Sequence, residues 1–306
     1  MSRVLPFLAL IVIGAAWGAT QPLSKIAVST GYRHFGLIFW QTALMTVLLY
    51  GITALRGRRV PWTRKVLPLY LFIAVIGTVL PGITSYSAIA HLPSGVMSIL
   101  LSSVPMFALP VALAMGNDSF RLSRLGGLVL GFGGVALLAL PEASLPDGTE
   151  AIWVAIALLS SLCYAFEGNG VARWGTQGLG PFTVLAGASA VAAVISLPLA
   201  LATGQFIVPT LPLGGPELAL LGSVVLHALA YSGYVWLVGQ AGSVFAAQVS
   251  YLVTLFGVTW AMLFLGEGYS GWIWAAMGLM LGGIALVQPR PKSLVPAPVT
   301  SEDAQA

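Results

Sequence analysis

The chain has little charge, few histidines and a single cysteine. Of its 306 residues, 7% are charged, whereas a soluble domain has about 25%. The mean hydropathy is +0.94. The lone cysteine, Cys163, excludes a disulfide framework or a cysteine-based metal site within one chain. A soluble fold of this length cannot cover so much apolar surface, so composition excludes a soluble enzyme and a nucleic-acid-binding protein.

The sequence also lacks the motifs of nucleotide use and catalysis. No Gly-rich loop ends in Gly-Lys-Ser/Thr, so direct use of ATP is not expected. There is no Ser/His/Asp set and no pair of carboxylates, and no histidine stands at metal-ligand spacing from His227. We therefore expect neither enzyme activity nor a cofactor nor a metal site.

What the chain does contain is a series of apolar runs of membrane-spanning length. A helix of about 20 mostly apolar residues crosses a bilayer, and ten such runs, separated by turn signals, fill most of the chain. They cover about residues 4–29, 33–55, 66–90, 94–115, 122–140, 150–173, 181–203, 216–239, 243–265 and 270–288. The pattern predicts an all-α integral membrane protein with ten transmembrane helices.

Basic residues are concentrated in alternate connections between these runs. Lys and Arg favour the cytoplasmic side of a membrane. With the N-terminus in the cytoplasm, eleven of the 13 fall on that side: Arg3, Arg56, Arg58, Arg59, Arg64, Lys65, Arg121, Arg124, Arg173, Arg290 and Lys292. Only Lys25 and Arg33 fall on the other side. This bias predicts that both termini are cytoplasmic.

The second half of the chain resembles the first at an offset of about 148 to 149 residues. Residues 131–138 match residues 280–287, and Tyr86 matches Tyr234. Five helices per half is an odd number, so the second copy must enter the membrane from the opposite side, as in the inverted repeats of secondary transporters. We predict three parts: a first repeat (1–145), a second, inverted repeat (146–288) and a disordered cytoplasmic tail (289–306).

Several of these features together resemble the EamA family of the drug/metabolite transporter superfamily. They are the pair Trp17-Gly18 followed by Lys25, Pro105 in the fourth helix, and the turn 265–267 (Leu-Gly-Glu) before a Gly-rich last helix. The resemblance covers about residues 4–288 and extends to bacterial YddG-type amino-acid exporters. The ninth helix departs from it, since it has Val-Thr at 253–254 where many relatives have proline.

The resemblance implies a function, a location and partners. It implies a multi-pass secondary transporter of the bacterial cytoplasmic (inner) membrane, whose helices surround a central cavity that opens alternately to each face. The expected activity is export of small metabolites, amino acids first, including neutral or aromatic ones. The alternative is a proton-coupled exporter of cationic drugs or other toxic compounds. The implied partners are a small-molecule substrate and membrane lipid.

The first helix carries a polar stripe. Trp17, Gln21 and Lys25 stand at i, i+4 and i+8, which is one face of a helix. Trp17 and Gln21 are candidates for lining a substrate cavity. The alternative is a seam against a neighbouring helix, with Lys25 extending to the membrane interface.

The sixth helix contains Glu167, the only carboxylate well within a predicted span, with Tyr164 one turn before it. A charge at bilayer depth costs about 2.5–3.5 kcal/mol or more unless it is paired or faces water. Glu167 is therefore a candidate counter-ion for a substrate ammonium, or a proton site. The alternative is a structural ion pair with Arg173 near the cytoplasmic surface.

The eighth helix places His227, Tyr231 and Tyr234 on one face, at i, i+4 and i+7. Histidine titrates in the physiological range, so His227 is a candidate for proton coupling. The alternative is a neutral histidine that is hydrogen-bonded to its neighbours, while the two tyrosines line the cavity.

The third and ninth helices add further candidates for the substrate site. They are Thr78 and Tyr86 in the third helix, and Gln248 and Tyr251 in the ninth. Hydroxyls, amides and aromatic rings suit a zwitterionic or aromatic ligand, since they supply hydrogen bonds and ring faces without fixed charge. Ordinary interhelical hydrogen bonding is the alternative.

The fifth and tenth helices are rich in glycine. The residues are Gly126, Gly127, Gly131, Gly133, Gly134, Gly278, Gly282 and Gly283. Small residues at three- and four-residue spacing let backbones approach closely. These helices are predicted to form a packing seam, either between the two repeats or between two protomers of a homodimer.

Overall fold

The computed structural model describes residues 4–116, 122–139, 151–209, 211–241 and 248–287. Their regular structure consists of thirteen α-helices and one π-helical segment: α1 Val4–Gly18, α2 Thr20–Val28, α3 His34–Leu55, α4 Leu67–Ala74, the π segment Val75–Val79, α5 Leu80–His91, α6 Ser94–Leu101, α7 Val104–Ala114, α8 Leu122–Ala139, α9 Ile152–Trp174, α10 Pro181–Ala202, α11 Gly215–Ala241, α12 Val249–Leu265 and α13 Gly271–Val287. The predicted tail at 289–306 lies outside the described residues.

The helices have the length and apolarity of membrane spans. Within the described ranges, six stretches are long and apolar enough to cross a bilayer: Leu5–Val28, His34–Leu55, Leu67–His91, Ser94–Ala114, Ile152–Trp174 and Pro181–Ala202. Large apolar side chains such as Val47, Leu55 and Val194 are more than 70% exposed, as expected for a surface that faces lipid. The all-α membrane fold is thereby confirmed, while ten spans and cytoplasmic termini stay predictions.

Three of the spans are interrupted near their middle. The first breaks at Ala19, between α1 and α2, and the fourth at Ser102–Ser103, just before α7, whose first turn contains Pro105. The third passes through the π segment between α4 and α5. By contrast, α12 runs without a break through residues 253–254, in agreement with the missing proline of the ninth helix. Interrupted helices expose backbone polar groups where a site can use them.

Two contacts show which helix ends lie together at each end of the molecule. At one end, the Arg56 guanidinium carbon lies 4.4 Å from the ring centroid of Phe182, which joins the end of α3 to the start of α10. At the other end, the Tyr32 hydroxyl donates to Glu217, which joins the connection before α3 to the start of α11. Helix α10 therefore runs opposite to α3, and α11 runs in the same direction as α3. This is the alternation of helix directions expected from the sequence.

The Gly-rich helices α8 and α13 pack backbone against backbone within one chain. A Cβ atom on Gly134 would lie 2.8 Å from the Ala276 carbonyl oxygen, and one on Gly283 would lie 2.6 Å from that of Gly127. The seam therefore joins the last helix of the first half to the last helix of the second. Four glycines face open space at their Cβ positions: Gly126, Gly133, Gly278 and Gly282. The homodimer stays a prediction, and these four are the surface left for it.

A second close seam joins α1 to α12, and the sequence analysis missed it. A Cβ on Gly18 would lie 2.8 Å from the backbone nitrogen of Gly257. The Trp260 indole N–H donates to the Ala15 carbonyl oxygen at 2.9 Å. Gly14 and Gly18 form a small-xxx-small pattern, which was the available sequence signal.

The seam between α8 and α13 predicts a contrast between adjacent glycines. Gly134→Ala places its methyl group against the Ala276 carbonyl, which cannot rotate away, so we expect a lower unfolding midpoint, corresponding to about 1–3 kcal/mol. Gly133→Ala, which meets open space, should unfold at or slightly above the wild-type temperature. Thermal unfolding of both variants in detergent measures this, and equal midpoints would contradict the packing described.

Candidate functional site

The structure brings three of the predicted residues together between α1 and α11. The Trp17 indole N–H donates to Nδ1 of His227 at 3.0 Å, and the two rings meet edge to face with centroids 5.6 Å apart. The ring of Trp17 also lies 5.8 Å from that of Tyr234. An Nδ1 that accepts a hydrogen bond carries no proton, so this imidazole is neutral. In this structure His227 thus has the hydrogen-bonded arrangement of the two sequence alternatives.

Glu167 lies on α9, facing the π segment. Tyr164, one turn earlier on its own helix, and Tyr231 on α11 lie near its carboxylate. No ion pair joins it to Arg173, whose guanidinium donates to the Met115 carbonyl oxygen at 2.8 Å. Among the described residues, the carboxylate has no hydrogen-bond donor and no cation within bonding distance, and its residue is partly exposed.

Gly77 makes room for this carboxylate. Both Glu167 carboxylate oxygens lie 2.7 Å from the position that a Cβ on Gly77 would occupy. Thr78, the next residue of the π segment, donates to the carbonyl oxygen of Ile73 in its own helix at 3.4 Å. The sequence predicted Thr78 as a site residue but not Gly77. A glycine in a sequence does not show which side chain packs against it, so this role is visible only once the neighbour is known.

Tyr86 lies deeper in the helical core, on α5. It is 6% exposed, and its hydroxyl donates to the side-chain oxygen of Gln41 on α3 at 2.9 Å. Tyr164 lies near it. Gln41 was not among the predicted residues. Like Gln21, Gln41 is a single amide in an otherwise apolar span, and this was the sequence signal that could have identified it.

Three predicted residues, Gln21, Gln248 and Tyr251, are not among the contacts that define this cluster. Gln248 is exposed directly before α12, and Tyr251, in the first turn of α12, packs against the main apolar core. Gln21 is partly exposed on α2. The candidate site of this structure consists of Trp17, Tyr86, Tyr164, Glu167, His227, Tyr231 and Tyr234, with Gln41 and Gly77 added.

Lys25 is bonded to the end of α5. Its ammonium donates to the carbonyl oxygens of Ile89 at 2.8 Å, Ala90 at 3.3 Å and Leu92 at 2.9 Å. The first two belong to the last turn of α5 and Leu92 directly follows the helix; such terminal carbonyls lack partners within the helix, and a cation there also complements the helix dipole. Lys25 thus caps α5.

Glu267 performs the complementary task on the next helix. Its carboxylate accepts from the Ser94 backbone N–H at 2.8 Å, the Ser94 hydroxyl at 2.9 Å, the Gly95 N–H at 3.2 Å and the Tyr269 hydroxyl at 2.5 Å. The first three belong to the amino end of α6. The turn between α5 and α6 is therefore held by Lys25 from the first half of the chain and Glu267 from the second.

This arrangement predicts that Glu267 is a structural residue. Glu267→Gln keeps the shape but replaces one acceptor by an amide N–H that faces donors, so the free energy of unfolding should fall by about 1.5–3 kcal/mol. Glu217→Gln is the matched control, because that carboxylate has the Tyr32 hydroxyl as its side-chain partner and should change the unfolding midpoint little. Equal midpoints for the two variants would refute this role.

Comparison with known proteins identifies the family of the chain. The EamA-like transporter family model matches residues 5–140 and 151–288. The chain is 24% identical over 301 residues to the uncharacterized inner membrane transporter YedA of Escherichia coli K12. The alignment covers 93% of this chain and 91% of YedA. It is 25% identical over 294 residues to the uncharacterized transporter YvbV of Bacillus subtilis strain 168, covering 95% of this chain and 93% of YvbV.

A solved protein structure has the same fold. It superposes with a TM-score of 0.63 at 16% identity and covers 94% of this chain and 97% of its own. The relatives' names, together with the apolar helices, confirm the predicted multi-pass inner-membrane location. The sequence resemblance is confirmed too, because the family model covers most of the chain. The chain therefore belongs to the EamA-like transporter family and is a membrane transporter, not an enzyme.

Proposed function

We propose that this transporter exports small metabolites that carry an ammonium group, amino acids first, by alternating access around Glu167. The observation that carries the proposal is the state of that carboxylate. It lies near Tyr164 and Tyr231, is partly exposed, and has no hydrogen-bond or ionic partner in the part of the chain that the structure describes.

The chemistry of this environment favours a cationic group. A carboxylate at membrane depth is stabilised when an ammonium pairs with it, since attraction between charges is strong where water is scarce. Tyrosine rings add attraction for a cation and supply apolar surface for the rest of the substrate. The unpaired carboxylate thus supports an ammonium-bearing substrate over a neutral one.

The cluster is built from both halves of the chain. Trp17 and Tyr86 belong to the first half, and Glu167 and His227 to the second. Helix motions that separate the halves would break the bond between Trp17 and His227 and change access to Glu167. Transporters with repeated halves commonly bind substrate at such a boundary.

A second candidate is the proton-coupled exporter of cationic drugs. It is favoured by the absence, among the described residues of the cluster, of a basic group to receive the carboxylate of an amino acid. Lys25 caps α5, and Nδ1 of His227 accepts from Trp17. An organic cation without a carboxylate requires only Glu167 and the rings.

Transport by Glu167→Gln tests the leading proposal. We expect saturable uptake of labelled amino acids into proteoliposomes of the wild-type protein, and an initial rate at low substrate that is roughly tenfold lower in Glu167→Gln, because the ammonium loses its charged acceptor. Glu217→Gln removes one carboxylate outside the cluster and should transport like the wild type. Amino-acid flux that is equal in all three proteins would refute Glu167 as the ammonium acceptor.

An imposed pH gradient separates the two candidates. If Glu167 exchanges substrate for protons, a gradient should accelerate uptake of an organic cation such as tetraphenylphosphonium in the wild type, and Glu167→Gln should abolish the acceleration while keeping slow downhill flux. If amino acids move equally with and without the gradient, and the organic cation does not move, the leading proposal stands and the second is excluded.

A further inference from the structure

A small basic pocket lies at the end of the molecule opposite Lys25, far from the Trp17 and His227 pair along the spans. Its volume is about 180 Å³. It is lined by the end of α3, the connection that follows it, and the start of α10: Thr53, Arg56, Arg58, Gly180, Pro181, Phe182 and Thr183. The transport proposal does not use this pocket.

The start of α10 supplies backbone donors to the pocket. Gly180, the residue before the helix, has no side chain to cap it, and Pro181 has no backbone N–H. The Val184 amide bonds to the Gly180 carbonyl at 3.1 Å, which leaves the amides of Phe182 and Thr183 without a backbone partner in the described residues. Free amides and the positive end of a 22-residue helix favour an anion.

Two arginines border the same opening. The guanidinium of Arg56 lies over the ring of Phe182, and an Nη atom of Arg58 lies 3.1 Å from the position that a Cβ on Gly180 would occupy. No carboxylate pairs with either in the described ranges, where the three carboxylates are Glu167, facing Gly77, and Glu217 and Glu267, bonded at the other end. The positive charge of the pocket has no protein counter-ion there.

An unpaired hydroxyl provides an independent sign of a ligand. Thr53 is 2% exposed, yet its Oγ1 has no hydrogen-bond partner. On the same helix, Thr42 and Thr46 each donate to the carbonyl four residues earlier, at 2.7 Å. Leaving a buried hydroxyl unpaired is unfavourable, and Thr53 lines the pocket, so an acceptor atom of a ligand would complete it once rotation about χ1 turns the hydroxyl toward the opening.

We propose that this pocket binds a phosphate oxyanion, presented by the headgroup of an anionic membrane lipid. The two guanidinium groups and the α10 amides donate to phosphate oxygens, and the Thr53 hydroxyl donates to another. The depth fits a headgroup, because Trp62 and Trp174 at this end are more than half exposed, as in the aromatic belts of membrane interfaces. Juxtamembrane arginines attract anionic lipids for the same electrostatic reason.

Native mass spectrometry of the full chain in a neutral detergent tests this. Phosphatidylglycerol and phosphatidylcholine of equal chain length are titrated separately, and we expect preferential retention of phosphatidylglycerol. Arg56→Gln/Arg58→Gln should weaken that retention roughly tenfold, since charge-assisted hydrogen bonds are lost. Arg59→Gln/Arg64→Gln is the matched control: it removes two arginines from the same connection that do not line the pocket, and it should retain the lipid.

Thr53→Val provides a variant that need not impair folding. Valine has nearly the shape of threonine and removes a hydroxyl that has no partner, so the lipid-free protein should unfold at or above the wild-type temperature. Retention of phosphatidylglycerol should nevertheless fall several-fold. A Thr53→Val protein that binds the lipid like the wild type would remove the hydroxyl from the site.

Inorganic phosphate distinguishes the source of the oxyanion. If millimolar phosphate raises the unfolding midpoint above a chloride control of equal ionic strength, and only when Arg56 and Arg58 are present, while the two lipids bind equally, the pocket takes free phosphate. If neither ligand shows a response that depends on this pair, or if both double variants lose binding equally, the proposal is wrong and the arginines act only through general charge.

Discussion

In the hydrocarbon core of a membrane, a polar group is stable only where another group of the protein pairs with it, and the structure depends on this constraint. Hydroxyls such as that of Thr42 bond to their own helix. Larger groups reach across helices, as in the Tyr86 to Gln41 and Trp260 to Ala15 pairs. Each cross-helix bond fixes how two spans sit against one another, so the polar residues determine the helix arrangement as much as the apolar ones.

Glu167 is an exception, and it gives the protein a candidate site. Its carboxylate faces a glycine in a π-helical segment and lies near two tyrosines, and no described residue places a cation within bonding distance of it. One of those tyrosines, Tyr231, meets the ring of Phe182 at a right angle, with centroids 5.9 Å apart. Because Arg56 lies over that same ring, a single aromatic side chain connects the candidate site to the basic pocket at the membrane interface.

Glycine seams allow the two halves of the chain to meet closely. Between α8 and α13, and between α1 and α12, backbones approach where no side chain would fit. Such contacts make dispersion and weak backbone interactions large in a solvent that gives no hydrophobic drive for helix association. The turn between α5 and α6, held by Lys25 and Glu267, adds a charged connection between the halves. The candidate cluster thus lies between elements held at defined positions.

The amino-acid sequence alone indicates the membrane location, the helical fold and the family, because the length of an apolar run and the paucity of charge follow directly from the thickness and polarity of the bilayer. It also marked Trp17, Glu167 and His227 as polar residues in apolar spans. Their partners follow from the tertiary structure alone. His227 accepts a hydrogen bond from Trp17, Lys25 caps α5, and Arg173 bonds to the Met115 carbonyl and not to Glu167. Partners such as these stand tens to hundreds of residues apart, and helical periodicity fixes the face of one helix but not the neighbour that the face meets.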